Sequence, residues 1–165
     1  MRYLNITGPD IENGLGFRVS LWISGCSCHC PGCHNPESHS FSAGQDWNEE
    51  AWKKLEGKLD KPYIKGLTFT GGNPIESPEG VIEVAEKVKQ RFGNTKDIWL
   101  FSGYTLEEIQ ADEAKSKVLD YVDYLVDGRF VKKLRDTVGC AFRGSTNQKI
   151  YKKDEEGRFV EIYHA

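Results

Sequence analysis

The 165-residue chain has no apolar run long enough to span a membrane. Its opening residues, Met1-Arg2-Tyr3-Leu4-Asn5, lack the apolar core of a secretory signal. There is no excess of positive charge either. Lys and Arg total 22 against 25 Asp and Glu, a net charge of −3, which argues against a nucleic-acid binder with a basic face. No internal repeat appears beyond a βα period, and no segment is low-complexity. What remains is an ordinary soluble globular composition, 38% apolar, 28% charged and 12% aromatic. The length predicts one domain over residues 1–165 with a respectable core. The expected location is the cytoplasm, a reducing compartment where clustered cysteines signal metal or redox chemistry rather than disulfides.

Against these absences stands one dense feature. Four of the five cysteines fall within eight positions, in Gly25-Cys26-Ser27-Cys28-His29-Cys30-Pro31-Gly32-Cys33-His34-Asn35. Cys26, Cys30 and Cys33 read as C-x3-C-x2-C. Soft sulfur ligands at this density select zinc or iron–sulfur, not magnesium or calcium. Pro31 and Gly32 break regular structure, so the stretch is a loop able to turn three sulfurs toward one centre. Four-thiolate zinc would need Cys28 and would give C-x-C-x-C-x2-C, unlike the usual two short pairs separated by a long span. A cluster held by three cysteines has one iron without a protein ligand, and an open metal position is where chemistry happens. Cys28 reads as a neighbouring thiol and Cys140 as a small buried residue.

Alternating strands and helices organise the rest. Residues 1–16 read as an N-terminal arm with two turn signals, 17–130 as a βα core, and 131–165 as a C-terminal segment ending in a hairpin (149–151 and 159–163). Core strands are predicted at 17–23, 66–70, 97–101 and 124–126. Helices are predicted after Asn48, after Ser77-Pro78, and after the capping box Thr105-Leu106-Glu107-Glu108. This order implies parallel strands with right-handed crossovers, and ligands at their carboxyl ends. Each predicted strand ends in a marked stretch: the cysteine loop, Gly71-Gly72-Asn73-Pro74, Ser102-Gly103-Tyr104 and Asp127-Gly128-Arg129. The chain is too short for an eight-unit barrel, so the expected fold is α/β, a partial, open TIM-like barrel of parallel βα units. Arg18, inside the first strand, reads as a structural partner for a carboxylate. Arg143 and Asn147 read either as partner or cofactor contacts or as a solvated polar loop.

The cysteine trio after a first strand, with Gly71-Gly72 after the second, resembles the radical S-adenosylmethionine superfamily. Six further stretches, from Asn13-Gly-x-Gly-x-Arg18 to Arg143-Gly-Ser-x-Asn-Gln148, are similar to the activating enzymes of anaerobic ribonucleotide reductase. The resemblance implies a single radical SAM fold and an oxidoreductase. One [4Fe-4S] cluster per chain would sit on Cys26, Cys30 and Cys33, with S-adenosylmethionine on its open iron. Reductive cleavage would give a 5′-deoxyadenosyl radical, which would form a glycyl radical on the large reductase subunit. Flavodoxin or ferredoxin would supply the electron. Gly32, Cys33, His34, Gly72 and Asn73 would line the S-adenosylmethionine site. Asn73 stands where the family usually has an acidic residue, and His34 where it is usually aromatic. No side-chain acid, base or nucleophile is assigned, because the chemistry belongs to the cluster. Open alternatives are activation of another glycyl-radical enzyme, a small-molecule radical enzyme, or a non-enzymatic zinc or iron–sulfur interaction or electron-transfer module.

Overall fold

The computed structural model describes residues 1–137 and 142–162. Eight strands form one open, mixed sheet: β1 (Arg2–Asp10), β2 (Phe17–Ile23), β3 (Gln45–Asp46), β4 (Ile64–Gly71), β5 (Asp97–Phe101), β6 (Tyr124–Asp127), β7 (Lys149–Lys153) and β8 (Phe159–Ile162). Their order is β3-β1-β2-β4-β5-β6-β7-β8. The centre, β2-β4-β5-β6, is parallel throughout. Antiparallel strands flank it, β1 and β3 on one side and β7 and β8 on the other.

The expectation of parallel βα units therefore holds only in the centre. Most of the supposed arm, residues 1–16, is the nine-residue strand β1, paired antiparallel with β2. Its register slips between Tyr3 and Asn5. Such a bulge breaks the two-residue period, so the buried pair Tyr3 and Ile6 lies three positions apart and carries no strand signature. Cys140 and the last residue of the expected hairpin, Tyr163, lie outside the described residues.

Helices α1 (Glu49–Leu59), α2 (Pro78–Phe92), α3 (Leu106–Gln110) and α4 (Glu113–Ser116) supply the crossovers between the parallel strands, α4 running into a 3-10 turn at Lys117–Tyr121. Asn48 caps α1 by accepting the Ala51 N–H at 2.9 Å. The capping box at Thr105 and Glu108 is formed as expected. Strand alternation then sorts two faces. Val19, Leu21, Leu67, Phe69, Ile98, Leu100 and Leu125 join Leu55, Leu59, Val84 and Val88 of the helices in the main core.

The other face is built differently. Arg18 is fully buried there. It donates to Thr68 Oγ1 at 2.8 Å, to the Leu67 carbonyl at 2.9 Å and to the Leu15 carbonyl at 3.0 Å. It pairs with Asp97 at 2.7 Å, the carboxylate partner expected for it. Burial pulls the Arg18 guanidinium down and pushes the Asp97 carboxyl up, each opposed by the attraction between them. Arg18 also lies 5.6 Å from the centre of the Trp99 ring, which stacks on Tyr124 at 4.6 Å. The loop 11–16 seals this end of the face. A Cβ on Gly14 would lie 2.8 Å from both Arg18 and Trp99.

Candidate iron–sulfur and nucleoside site

The carboxyl ends of β2, β4, β5 and β6 share one rim. The cysteine loop leaves β2 at Ile23 and is closed on itself. Gly25 N–H donates to the Ser38 carbonyl at 2.7 Å and Cys26 N–H to the His39 carbonyl at 3.1 Å. Between these ties the chain turns through left-handed positions at His29 (φ 46°) and Gly32 (φ 78°). The Cys33 N–H donates to the Cys30 carbonyl at 3.1 Å, and the Asn35 N–H points at the Cys33 sulfur at 3.5 Å.

The second strand end is fastened to the first. Gly72 N–H donates to the Ile23 carbonyl and Asn73 N–H to the Gly25 carbonyl, both at 2.8 Å. Glu76, on the 3-10 turn Pro74–Glu76, extends the fastening to the third end. Its carboxylate accepts from Ser27 N–H at 2.8 Å, from the Ser27 hydroxyl, and from the Tyr104 hydroxyl at 3.1 Å. The Arg129 guanidinium lies 5.1 Å from the Tyr104 ring centre and pairs with Glu108 at 3.1 Å, which joins the fourth end.

A cleft of about 440 Å³ opens inside this rim. Cys26, Cys28, Cys30 and Cys33 line it with His34, Gly71, Gly72, Ser102, Gly103 and Gly128. Trp22, Phe101, Phe130 and Phe142 add apolar walls. A depression of about 670 Å³ at the other end of the sheet, around Phe17, Tyr63 and Lys96, has no cysteine. Among the described residues, no three His, Cys, Asp or Glu side chains form a cage for a single metal ion. Tetrahedral zinc holds its thiolates roughly 4 Å apart, given ~2.3 Å bonds. A four-iron cube is larger and takes thiolates from farther apart. The donor set, soft sulfur facing one cleft, fits such a cluster. The aromatic walls fit a nucleoside.

Of the residues expected at the S-adenosylmethionine site, Cys33, His34 and Gly72 line the cleft. Gly32 and Asn73 do not. Gly32 is exposed, and a Cβ on it would meet Lys132 at 3.3 Å and Phe130 at 3.5 Å. Asn73 is buried, its oxygen accepting from Gly103 N–H at 3.2 Å and its amide nitrogen directed at the Cys28 sulfur at 3.6 Å. Cys28 is thus a packed wall residue with a partner of its own. Burial, then the adjacent Cys26 sulfur, pushes its thiol up to about 12.

Three residues gain definite roles that spacing did not reveal. Asp127 accepts from Leu106 N–H at 2.6 Å and Lys149 N–H at 3.2 Å, so it anchors α3 and β7. Gln148 accepts from the N–H groups of Gly144 and Ser145 and donates to the Gly128 carbonyl at 2.9 Å. Asn147 donates to the Arg129 carbonyl at 2.8 Å. The polar loop 143–148 is therefore a brace for the fourth strand end, and Arg143, Gly144 and Gln148 also line the cleft. Apart from the local turn of Gln148 onto Gly144 and Ser145, these partners lie 18 to 22 residues apart in sequence, beyond any local motif.

Comparison with known proteins gives consistent results. Residues 12–151 match the family model described as a 4Fe-4S single cluster domain. Proteins named anaerobic ribonucleoside-triphosphate reductase-activating protein are similar over 92% of this chain. That of Pasteurella multocida is 38% identical and covered over 98% of its length. That of Enterobacteria phage T4 is 39% identical and covered over 94%. That of Escherichia coli K12 is 35% identical and covered over 98%.

Proposed function

The chain belongs to the family of anaerobic ribonucleoside-triphosphate reductase-activating proteins, and from that membership we propose that it cleaves S-adenosylmethionine reductively and activates the large reductase subunit. The observation that carries this reading is the shared cleft. Cys26, Cys30 and Cys33 face the same space as Gly72, His34 and the ends of β5 and β6. The fold is read as an open, partial relative of the TIM-like radical SAM barrel, a single unit over the whole chain.

Cys26, Cys30 and Cys33 would hold the [4Fe-4S] cluster. The chemistry that a reduced cluster supplies when bound is one-electron cleavage of the S-adenosylmethionine sulfonium, releasing methionine and a 5′-deoxyadenosyl radical that takes a hydrogen atom from a glycine α-carbon. The protein's own residues position and enclose. Gly72 brings backbone close to the ligand, and His34 and Phe130, 5.4 Å apart, offer ring faces at the mouth. Asn73 acts from behind the wall, setting Cys28 and the Gly103 backbone. Phe101 and Phe142 exclude water from the radical's path. The electron would come from a flavodoxin or ferredoxin.

The test is anaerobic reconstitution followed by reduction with S-adenosylmethionine. Release of 5′-deoxyadenosine and methionine, and a glycyl EPR doublet when the large subunit is added, are the expected results. A protein that retains only zinc, or a cluster that never cleaves the sulfonium, would refute the reading. A doublet only with a different glycyl-radical enzyme would reassign the partner.

A further inference from the structure

Glu76 is a partly buried carboxylate on the 3-10 turn after β4. Both of its oxygens are engaged. One accepts the Ser27 N–H at 2.8 Å; the other accepts the Ser27 hydroxyl, and the Tyr104 hydroxyl at 3.1 Å. All three donors are neutral, so the charge is hydrogen-bonded but not cancelled. The cations grouped around the Tyr104 ring are committed elsewhere, Lys115 to Asp112 at 2.8 Å and Arg129 to Glu108 at 3.1 Å. Among the described residues Glu76 has no ion-pair partner. An uncompensated negative charge is therefore tied to the residue between Cys26 and Cys28.

The backbone of the cysteine loop works in the same direction. The N–H groups of Gly25, Cys26 and Cys33 donate to carbonyl oxygens, and that of Ser27 donates to Glu76. Among the described residues, one N–H is directed at a sulfur of the trio, that of Asn35 at Cys33, at 3.5 Å. Hydrogen bonds to sulfur stabilise the extra electron of a reduced cluster, and a nearby negative charge opposes it. Few N–H donors and one uncancelled carboxylate both favour a low reduction potential.

We propose that Glu76 is a positioning residue that keeps the cluster strongly reducing. It engages the Ser27 N–H, which would otherwise be free to donate to sulfur, and it sets a negative charge beside the loop. The proposal rests on the reading that Cys26, Cys30 and Cys33 hold a [4Fe-4S] cluster, and it adds the control of that cluster's potential. The purpose follows from the electron balance of the proposed reaction. One electron leaves the reduced cluster, which is oxidised, and enters the sulfonium, whose carbon–sulfur bond breaks to give methionine and the 5′ radical. A lower cluster potential gives that transfer a larger driving force. Glu76 lies 49 residues from Ser27, so no local motif shows the link.

The test is an anaerobic redox titration of the reconstituted protein without S-adenosylmethionine, followed by the EPR signal of the reduced cluster. Glu76→Gln keeps the shape and an oxygen for the Ser27 N–H but removes the charge. The Ser27→Ala, Tyr104→Phe double variant removes the two hydroxyl donors and keeps the charge. At a fixed ambient potential the ratio of reduced to oxidised cluster should rise about three- to tenfold in Glu76→Gln, the order expected for one partly screened charge at short range. The double variant should stay within about twofold of wild type, and iron and sulfide content within about twofold in both. An unchanged ratio in Glu76→Gln would overturn the proposal. An equal rise in the double variant would overturn it too, because the ties rather than the charge would then set the potential. So would a Glu76→Gln protein that holds no cluster, which would assign Glu76 to fastening the loop alone. A wild type that holds a cluster but leaves S-adenosylmethionine intact would overturn the activase reading only. A wild type without a cluster would overturn both.

Discussion

The Asn73 side-chain amide lies 3.6 Å from the Cys28 sulfur while its oxygen accepts the Gly103 N–H. One buried side chain thus joins three of the four strand ends that carry the site. The arrangement gives Cys28 a packing role of its own beside the three cysteines proposed to hold the cluster. Cys28→Ala should keep full iron and sulfide content, and Cys30→Ala should lose most of it. Iron and sulfide analysis after anaerobic reconstitution decides this, and cluster loss in the Cys28 variant would make it a fourth ligand. Asn73→Ala should lower stability by about 1–3 kcal/mol, the cost of a buried N–H left without a partner. Its effect on S-adenosylmethionine affinity should stay within a few-fold, measured by equilibrium binding. A loss of tenfold or more would place Asn73 in direct contact with the ligand.

Gly72 is constrained from behind as well as by the cleft. A Cβ there would lie 2.6 Å from the Gly25 carbonyl oxygen and 2.8 Å from that of Ser38. Both are backbone atoms fixed by the closure of the cysteine loop, so neither yields cheaply. Gly72→Ala should cost about 1–3 kcal/mol through overpacking and reduce the iron held per chain. Thermal unfolding and iron analysis on the same sample test both effects. Normal iron content would mean that the cysteine loop shifts freely as a body.

The buried Arg18–Asp97 pair should be expensive to break on one side. Arg18→Met leaves Asp97 without its cation and is expected to cost roughly 3–5 kcal/mol. The double variant Arg18→Met, Asp97→Leu should recover part of that loss. Unfolding midpoints for the full cycle measure the coupling. Equal loss in single and double variants would show that the hydrogen bonds to Thr68, Leu67 and Leu15 carry the stability instead.

Asp127 gives a pH dependence. Burial raises its carboxyl above the usual value, against the two N–H donors that lower it. A raised folded value means that the bound proton favours the folded state. That contribution is complete below the unfolded value, roughly 3.9, and is lost as pH rises through the higher folded value. Asp127→Asn lacks it. The difference in unfolding midpoint, wild type minus variant, should therefore shrink as pH rises from about 4 to about 7. A difference that grows with pH would show that the Leu106 and Lys149 donors outweigh burial.

Much of this architecture was legible in the sequence. The strands Phe17–Ile23 and Asp97–Phe101 and the helix Pro78–Phe92 follow the expected bounds, because apolar period and end signals agree there. The marked strand ends do meet on one rim. Strand β1 was hidden by its bulge and β3 by its two-residue length. Pairing direction at the sheet edges is set by long-range register, which local spacing does not encode. The ties made by Asn73, Glu76 and Gln148 were hidden for the same reason. Each joins loops that meet only after the sheet forms. Spacing identifies the cysteine trio, but it does not say which neighbouring polar groups face the cleft and which support its wall.

The seal made by Gly14, Arg18 and Trp99 has a kinetic consequence. On the activase reading, S-adenosylmethionine and the substrate's glycine loop would share the cleft mouth, so the small molecule would have to enter first and the loop would then shut it in. Excess large subunit added before S-adenosylmethionine should therefore slow the first turnover, and the reverse order of mixing should not.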